Sequence, residues 1–199
     1  GALVAASALL LVFAAWRLNP LAFRLSPVLL LLLFSYSYTK RFTWASHLVL
    51  GACLGAAPLA AWIAVNGEAD PRILSICLAV LFWTAGFDVL YALQDIEFDR
   101  GAGLHSIPRH LGVGKSLWIA RTFHLAMAAP LLLSYHLFGL GRLYLAGLVL
   151  CFAVLAYEHS ILREDDLSRL DMAFFNLNGI VSIAYCLFTY LDLVLRGGL

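Results

Sequence analysis

Charge is scarce in this chain. Of 199 residues, 13 are Lys or Arg and 12 are Asp or Glu, a charged share of 13%, about half that of an ordinary soluble domain. With 63% hydrophobic residues and a mean hydropathy of +0.90, that scarcity excludes a soluble globular domain and points to an integral membrane protein. The two signs nearly cancel, leaving a net charge of +1, so there is no basic excess to draw in nucleic acid and no nucleic-acid partner is expected. Cysteine is sparse as well. Cys53, Cys77, Cys151 and Cys186 each fall inside an apolar stretch and form no Cys-x-x-Cys pair, a pattern of packing residues rather than of a disulfide or zinc site. A soluble insertion, a low-complexity linker and an internal repeat are all lacking.

What is present is a succession of seven apolar stretches, near residues 1–16, 21–38, 46–65, 72–93, 116–138, 143–157 and 173–195. Most approach the ~20 residues that cross a bilayer, and the first and sixth are short. Lipid offers no partner to an unpaired backbone group, so these stretches are expected to be helices in an all-α, polytopic bundle. The first opens at Gly1 without Met or a basic flank, so we read it as a cut through a longer chain rather than as a signal peptide. Assigning the loops alternately to two sides places Lys40, Arg41, Arg100, Arg109, Lys115, Arg163 and Arg169 on one side, against Arg17, Arg72, Arg142 and Arg196 on the other. The more basic side is expected to be cytoplasmic. The two longest loops, 94–115 and 158–172, also belong to that side, which is therefore the expected working end.

The segment Asp88-Val-Leu-Tyr-Ala-Leu-Gln-Asp95-Ile-Glu-Phe-Asp99-Arg100 closes the fourth stretch. On one α-helix Asp88, Tyr91, Asp95 and Asp99 share a face, while Glu97 points the opposite way. Stacked carboxylates repel unless a cation lies between them, so this face reads as a cation site. A solvated helix end with its acids paired to Arg100 or Arg109 would explain Asp95 and Asp99 alone. Asp88 extends the face into the apolar segment, where an ionisable residue marks function. Tyr36 and Lys40 end the second stretch on the same side, four residues apart, so a phenol and an ammonium share a face. Beside a carboxylate-bound metal, that pair is what a diphosphate would require. The six histidines, at 47, 105, 110, 124, 136 and 159, show no ligand spacing and read as loop or interfacial residues. Arg121 reads as a snorkelling side chain, and Asn176 and Asn178 as interhelical hydrogen-bonding residues.

The run Asp88-x-x-Tyr91-Ala92-x-x-Asp95-x-Glu97-x-Asp99-Arg100, followed by Gly103-Leu-x-Ser106-Ile-Pro108, resembles the second aspartate-rich motif of the UbiA superfamily of intramembrane prenyltransferases. Within it, the chain looks like the 4-hydroxybenzoate polyprenyltransferase branch and its menaquinone-pathway relatives. Tyr36-x-x-x-Lys40 resembles a second family motif. Tyr157-Glu-His-Ser, Asp166-Leu-Ser-Arg and Phe174-Phe-Asn-Leu-Asn-Gly179 resemble that branch's late loop and final helix. The resemblance covers essentially all of residues 1–199 as a single domain. It implies nine transmembrane helices and a first motif, Asn-Asp-x-x-Asp-x-x-x-Asp, after the second. Nothing here matches that motif, so the resemblance implies that two helices and half of the metal site precede this chain.

The resemblance further implies transfer of a polyprenyl group from polyprenyl diphosphate to an aromatic acid acceptor in respiratory quinone biosynthesis, in a bacterial inner membrane. The acceptor would be 4-hydroxybenzoate or, alternatively, a naphthoate-type ring of menaquinone biosynthesis. Asp95 and Asp99 would hold Mg²⁺, with Asp88 as a deeper ligand or as a partner behind the ligands. Lys40 and Tyr36 would contact the diphosphate, Tyr91 would line the site, and Arg100 is a further substrate-binding candidate. The isoprenoid tail would leave toward membrane lipid. A transporter, which should show internal repeats or broken helices, and a non-catalytic membrane scaffold are the competing classes.

Overall fold

The computed structural model describes residues 1–197. Its elements are α1 (Ala2–Leu18), α2 (Pro20–Thr39), α3 (Ser46–Asn66), α4 (Ile73–Tyr91), a 3₁₀ turn (Ala92–Asp95), α5 (Ile96–Gly101), α6 (Ile107–Ala126), α7 (Ala128–Leu137), α8 (Arg142–Ile161), a π-helical segment (Met172–Leu177) and α9 (Asn178–Leu195). No strand occurs among the described residues. Among the described residues, six helical spans are long and apolar enough to cross a membrane, and α1 is a shorter apolar helix. The chain is an all-helical integral membrane protein, and all seven expected stretches lie on helices.

Two boundaries differ from the sequence expectation. Residues 94–115 were expected to form a loop, yet much of that stretch is helical: the 3₁₀ turn, α5 and the start of α6. Gly112 (φ 78°, ψ 176°) breaks the helical path within α6, which only a residue without a Cβ does without strain. The second long loop is also shorter than expected, because α8 continues to Ile161 and keeps Glu158 and His159 helical. The division between α6 and α7 has a local cause. Pro130 supplies no N–H, and its ring crowds the carbonyl four residues back, at Ala126, where α6 ends.

Short polar devices join the helices away from the polar end. Asn19 Oδ1 accepts from the Ala22 N–H (2.8 Å) and caps α2, while its Nδ2 donates to the Ile63 carbonyl (2.8 Å) near the end of α3. One side chain thus turns the α1–α2 hairpin and fastens it to α3. The buried carboxylate of Asp192 on α9 accepts from the N–H groups of Gly141 (2.5 Å) and Leu143 (3.1 Å) at the start of α8. The positive end of the α8 dipole meets a negative charge there.

The contact that sets the polar end is between α3 and α4. A Cβ placed on Gly51 would lie 2.5 Å from the Leu81 carbonyl oxygen, and one on Gly55 would lie 2.7 Å from that of Cys77. Gly51-Ala-Cys-Leu-Gly55 is a small-xxx-small stripe of the kind that lets two membrane helices approach backbone to backbone. His47 lies one turn earlier on the same stripe. Its Nδ1 is 2.6 Å from Asp88 Oδ2 on α4, and its Nε2 accepts from the Ile107 N–H at 3.3 Å. Because Nε2 is the acceptor, Nδ1 carries the proton and donates to Asp88. His47 is fully buried, and it ties α3, α4 and the start of α6 together.

Gly179 is also helical, but a Cβ there meets nothing within 4 Å. We expect Gly51→Ala to destabilise the protein by about 2 kcal/mol through overpacking and Gly179→Ala to be neutral or stabilising by up to about 1 kcal/mol, both measured by thermal unfolding in detergent. Equal effects at the two positions would contradict the α3–α4 contact. His47→Ala strands both the Asp88 carboxylate and the Ile107 N–H and should cost about 3 kcal/mol in the same assay.

Candidate diphosphate and metal site

α2 ends at Thr39, and the turn that follows points Lys40 across at α5. Lys40 Nζ lies 3.7 Å from Asp95 Oδ2 and 3.6 Å from Asp99 Oδ2. The two carboxylates therefore share one ammonium without either being in tight contact with it. Asp95 is partly exposed (43%), Lys40 less so (27%), and Asp99 is sealed (1%). Neither Asp99 oxygen has a hydrogen-bond partner among the described residues. An anion without donors, facing a cation beyond hydrogen-bond length, leaves room for further positive charge.

Asp88 departs from that face. On a continuous α-helix it would stack beneath Asp95, but residues 92–95 are 3₁₀. Each 3₁₀ residue turns about 20° further than an α residue, so four of them rotate the later acids by roughly 80° relative to Asp88. Asp95 and Asp99 consequently meet Lys40, while Asp88 meets His47. Tyr36 is half-buried one turn before Lys40. Arg100 lies elsewhere: its guanidinium pairs with Glu97 at 2.7 Å, both groups being exposed.

The loop after α5 closes over this corner. The His105 N–H donates to the Lys40 carbonyl at 2.6 Å and the Leu104 N–H to the Asp99 carbonyl at 2.9 Å, while Arg109 donates to the Leu104 carbonyl. Ser106 caps α6 by accepting from the Arg109 N–H. The backbone of the Gly-rich loop is thus fastened to the residues that carry the charges.

Beneath the carboxylates runs an aromatic row. Tyr91 packs at a tilt against Phe174 (centroids 4.2 Å apart), Phe174 meets the edge of Phe87 (5.7 Å), and Phe87 meets Trp83 edge-on (5.4 Å). Phe174 belongs to the π-helical segment, an irregularity frequent at functional sites. Asn178 supports it: its Nδ2 donates to the Ala173 and Phe174 carbonyls, and its Oδ1 accepts from Trp83 Nε1 at 3.0 Å. The expected interhelical role of Asn178 is therefore observed, whereas Asn176 is exposed. Below Trp83 lies an apolar cavity of about 180 Å³ lined by residues that include Ile76, Ala79, Met127, Leu131 and Tyr185. That is smaller than pockets that enclose a whole drug-sized molecule, so it suits a segment of a longer apolar chain.

Sequence reading did not find His47, whose signal is its spacing of four from Gly51. It also did not find a buried group formed by His124, Glu158 and His159, whose ligand atoms lie within 4.8 Å of one another. These histidines read as loop or interfacial residues, but His124 and Glu158 are buried. No spacing rule reaches them, because the partners lie on α6 and α8.

Comparison with known proteins agrees with this architecture. The profile of the UbiA prenyltransferase family matches residues 1–180. The 4-hydroxybenzoate octaprenyltransferase of Vibrio cholerae is 31% identical over 179 residues, covering 88% of this chain and 61% of its own length. The mitochondrial 4-hydroxybenzoate polyprenyltransferase of Arabidopsis thaliana is 35% identical over 130 residues, covering 65% of this chain and 32% of its own length. The chain therefore spans about three fifths of the length of its Vibrio relative. Among solved structures, the apo form of a UbiA homolog from Aeropyrum pernix K1 superposes with a TM-score of 0.84 at 32% identity, covering 96% of this chain and 71% of that one. A digeranylgeranylglyceryl phosphate synthase structure shares the fold alone, with a TM-score of 0.74 at 21% identity and coverage of 94% and 67%. The match over residues 1–180, carried by the same helices that bring Lys40 to Asp95 and Asp99, shows that the chain belongs to the UbiA prenyltransferase family.

Proposed function

We propose that residues 1–199 act as one prenyltransferase domain that transfers a polyprenyl group from its diphosphate to 4-hydroxybenzoate, in respiratory quinone biosynthesis. The observation that carries this reading is the sealed Asp99 carboxylate, without a hydrogen-bond partner, facing Lys40 and Asp95 above an aromatic row. Oxygen donors with no hydrogen-bond partner fit a hard cation, and Asp95 and Asp99 would hold Mg²⁺. When bound, Mg²⁺ supplies positive charge against the developing charge of the diphosphate leaving group. Lys40 supplies a second positive charge to the same group, with Tyr36 one turn away to donate from its hydroxyl. His47 orients Asp88 rather than leaving it free to join the ligand set.

In the reaction the allylic C–O bond breaks with its electrons going to diphosphate. A ring carbon of the acceptor then bonds to the allylic carbon, and the ring loses a proton. Tyr91, Phe174 and Phe87 present ring faces and edges beside the acids, where they exclude water and stabilise an allylic cation. The cavity below Trp83 receives the first part of the isoprenoid tail, and the remainder passes into lipid. Lys40, Arg41, Arg100, Arg109, Lys115, Arg163 and Arg169 all lie toward this end of the helices, which supports a cytoplasmic orientation of the site in a bacterial inner membrane.

The test is acceptor-dependent diphosphate release on membranes carrying the protein in its full natural length, with Mg²⁺ and a polyprenyl diphosphate. Asp95→Ala, Asp99→Asn and Lys40→Ala are each expected to lower turnover about a hundredfold or more. Wild-type turnover in Asp95→Ala would overturn the assignment. A prenylated dihydroxynaphthoate in place of prenylated 4-hydroxybenzoate would keep the transfer chemistry and move the acceptor to the menaquinone type. Absence of release with both acceptors would favour a transporter or a non-catalytic membrane protein.

A further inference from the structure

A second polar cluster is buried on the other side of α4. Gly86 and Asp88 lie about 200° apart around that helix, so the Asp88–His47 pair faces α3 while Gly86 faces α6. His124 of α6 seats its ring directly on Gly86, so closely that a Cβ there would collide with the imidazole. From α8, Glu158 and His159 converge on the same point. His159 Nε2 lies 2.9 Å from His124 Nδ1, and Glu158 Oε1 lies 3.8 Å from it. Glu158 is fully buried, and neither of its oxygens has a hydrogen-bond partner among the described residues. The nearby cation is engaged elsewhere: Arg121 donates to the His159 carbonyl at 3.2 Å and stacks over Trp118.

A carboxylate sealed in an apolar bundle requires a compensating positive charge or a proton. From the two imidazoles and the carboxylate, the geometry points to a transition-metal site of the Zn²⁺ class, formed by His124, Glu158 and His159 and clipping α6 to α8 behind α4. Donor chemistry separates it from the Asp95–Asp99 face. Imidazole nitrogens suit Zn²⁺, whereas Mg²⁺ takes oxygen ligands. Distance agrees as well. Donors bound tetrahedrally at about 2.0–2.1 Å from an ion lie about 3.3 Å apart; the two separations from His124 Nδ1, 2.9 and 3.8 Å, bracket that value, and all three donors lie within 4.8 Å of one another. His124 is held between the α4 backbone and α8, so the ring is positioned before any ion arrives. Such a clip would fix the end of α8 from which the segment leading to Asp171 and the π-helix departs, and Asp171 accepts from Gln94 in the 3₁₀ turn (3.3 Å).

The experiment uses the purified full-length protein in detergent, stripped with chelator, loaded with Zn²⁺ and dialysed against excess Mg²⁺. Elemental analysis is expected to find about one retained Zn²⁺ per chain. Glu158→Gln and His159→Ala should reduce retention at least tenfold, while the Asp95→Asn, Asp99→Asn double variant retains the ion. X-ray absorption at the zinc edge of the wild-type protein gives a readout independent of whether the variants fold, and imidazole scattering is expected. Failure of the wild-type protein to retain zinc, retention unchanged in Glu158→Gln and His159→Ala, or an all-oxygen shell would each overturn the site and leave a neutral, hydrogen-bonded cluster. Activity is not the readout, so failure here is separable from failure of the prenyl-transfer reading.

Discussion

The close approach of α3 and α4 is the contact on which the polar end depends. His47, Gly51 and Gly55 repeat every four residues along one stripe of α3, and they face Asp88, Leu81 and Cys77 of α4 in antiparallel order. Within lipid there is no hydrophobic drive between two apolar helices, so packing and hydrogen bonding decide their association. The glycines bring the backbones together, and His47 then reaches Asp88 with its other nitrogen satisfied by the Ile107 N–H. The turn between α2 and α3, which carries Lys40, is placed against α5 by the same contact.

From that placement follows a division of labour among the acids. A 3₁₀ turn between Tyr91 and Ile96 rotates Asp95 and Asp99 away from Asp88. The deeper acid accepts a hydrogen bond from a buried imidazole, and the two outer acids share one lysine at 3.6–3.7 Å. Asp99 keeps two unsatisfied oxygens in a sealed position, an arrangement that is costly unless further positive charge arrives. The aromatic row beneath is held by Asn178, whose amide joins the π-helical carbonyls to Trp83. An irregular helix that would be a liability in lipid is tolerated because it is buried against protein.

Two polar clusters thus stand apart, one open toward the polar end and one closed against Gly86 of α4. Asp95 is partly exposed, whereas Glu158 and His124 are sealed. The open cluster has oxygen donors and a lysine, and the closed one has imidazoles and a single carboxylate. Their different donor chemistry is the reason to assign them different ligands.

Much of this was legible along the chain. Hydropathy alone determined that the protein is a helical membrane bundle, because in lipid the backbone must satisfy itself and seven apolar stretches leave few alternatives. The spacing of Asp95 and Asp99, and the lysine ending the second stretch, marked the charged corner. Local pattern also contained the Gly51–Gly55 stripe and the Pro130 break, each of which acts within a turn or two of its own residue. Only the tertiary structure decided the rest. It turned Asp88 away from its sequence neighbours and toward His47, and drew Asn178 to Trp83. It also gathered His124, Glu158 and His159 from two helices. Side-chain periodicity states which residues share a face of one helix; which face meets which is set by how closely two backbones can approach, and that depends on residues far apart in the chain.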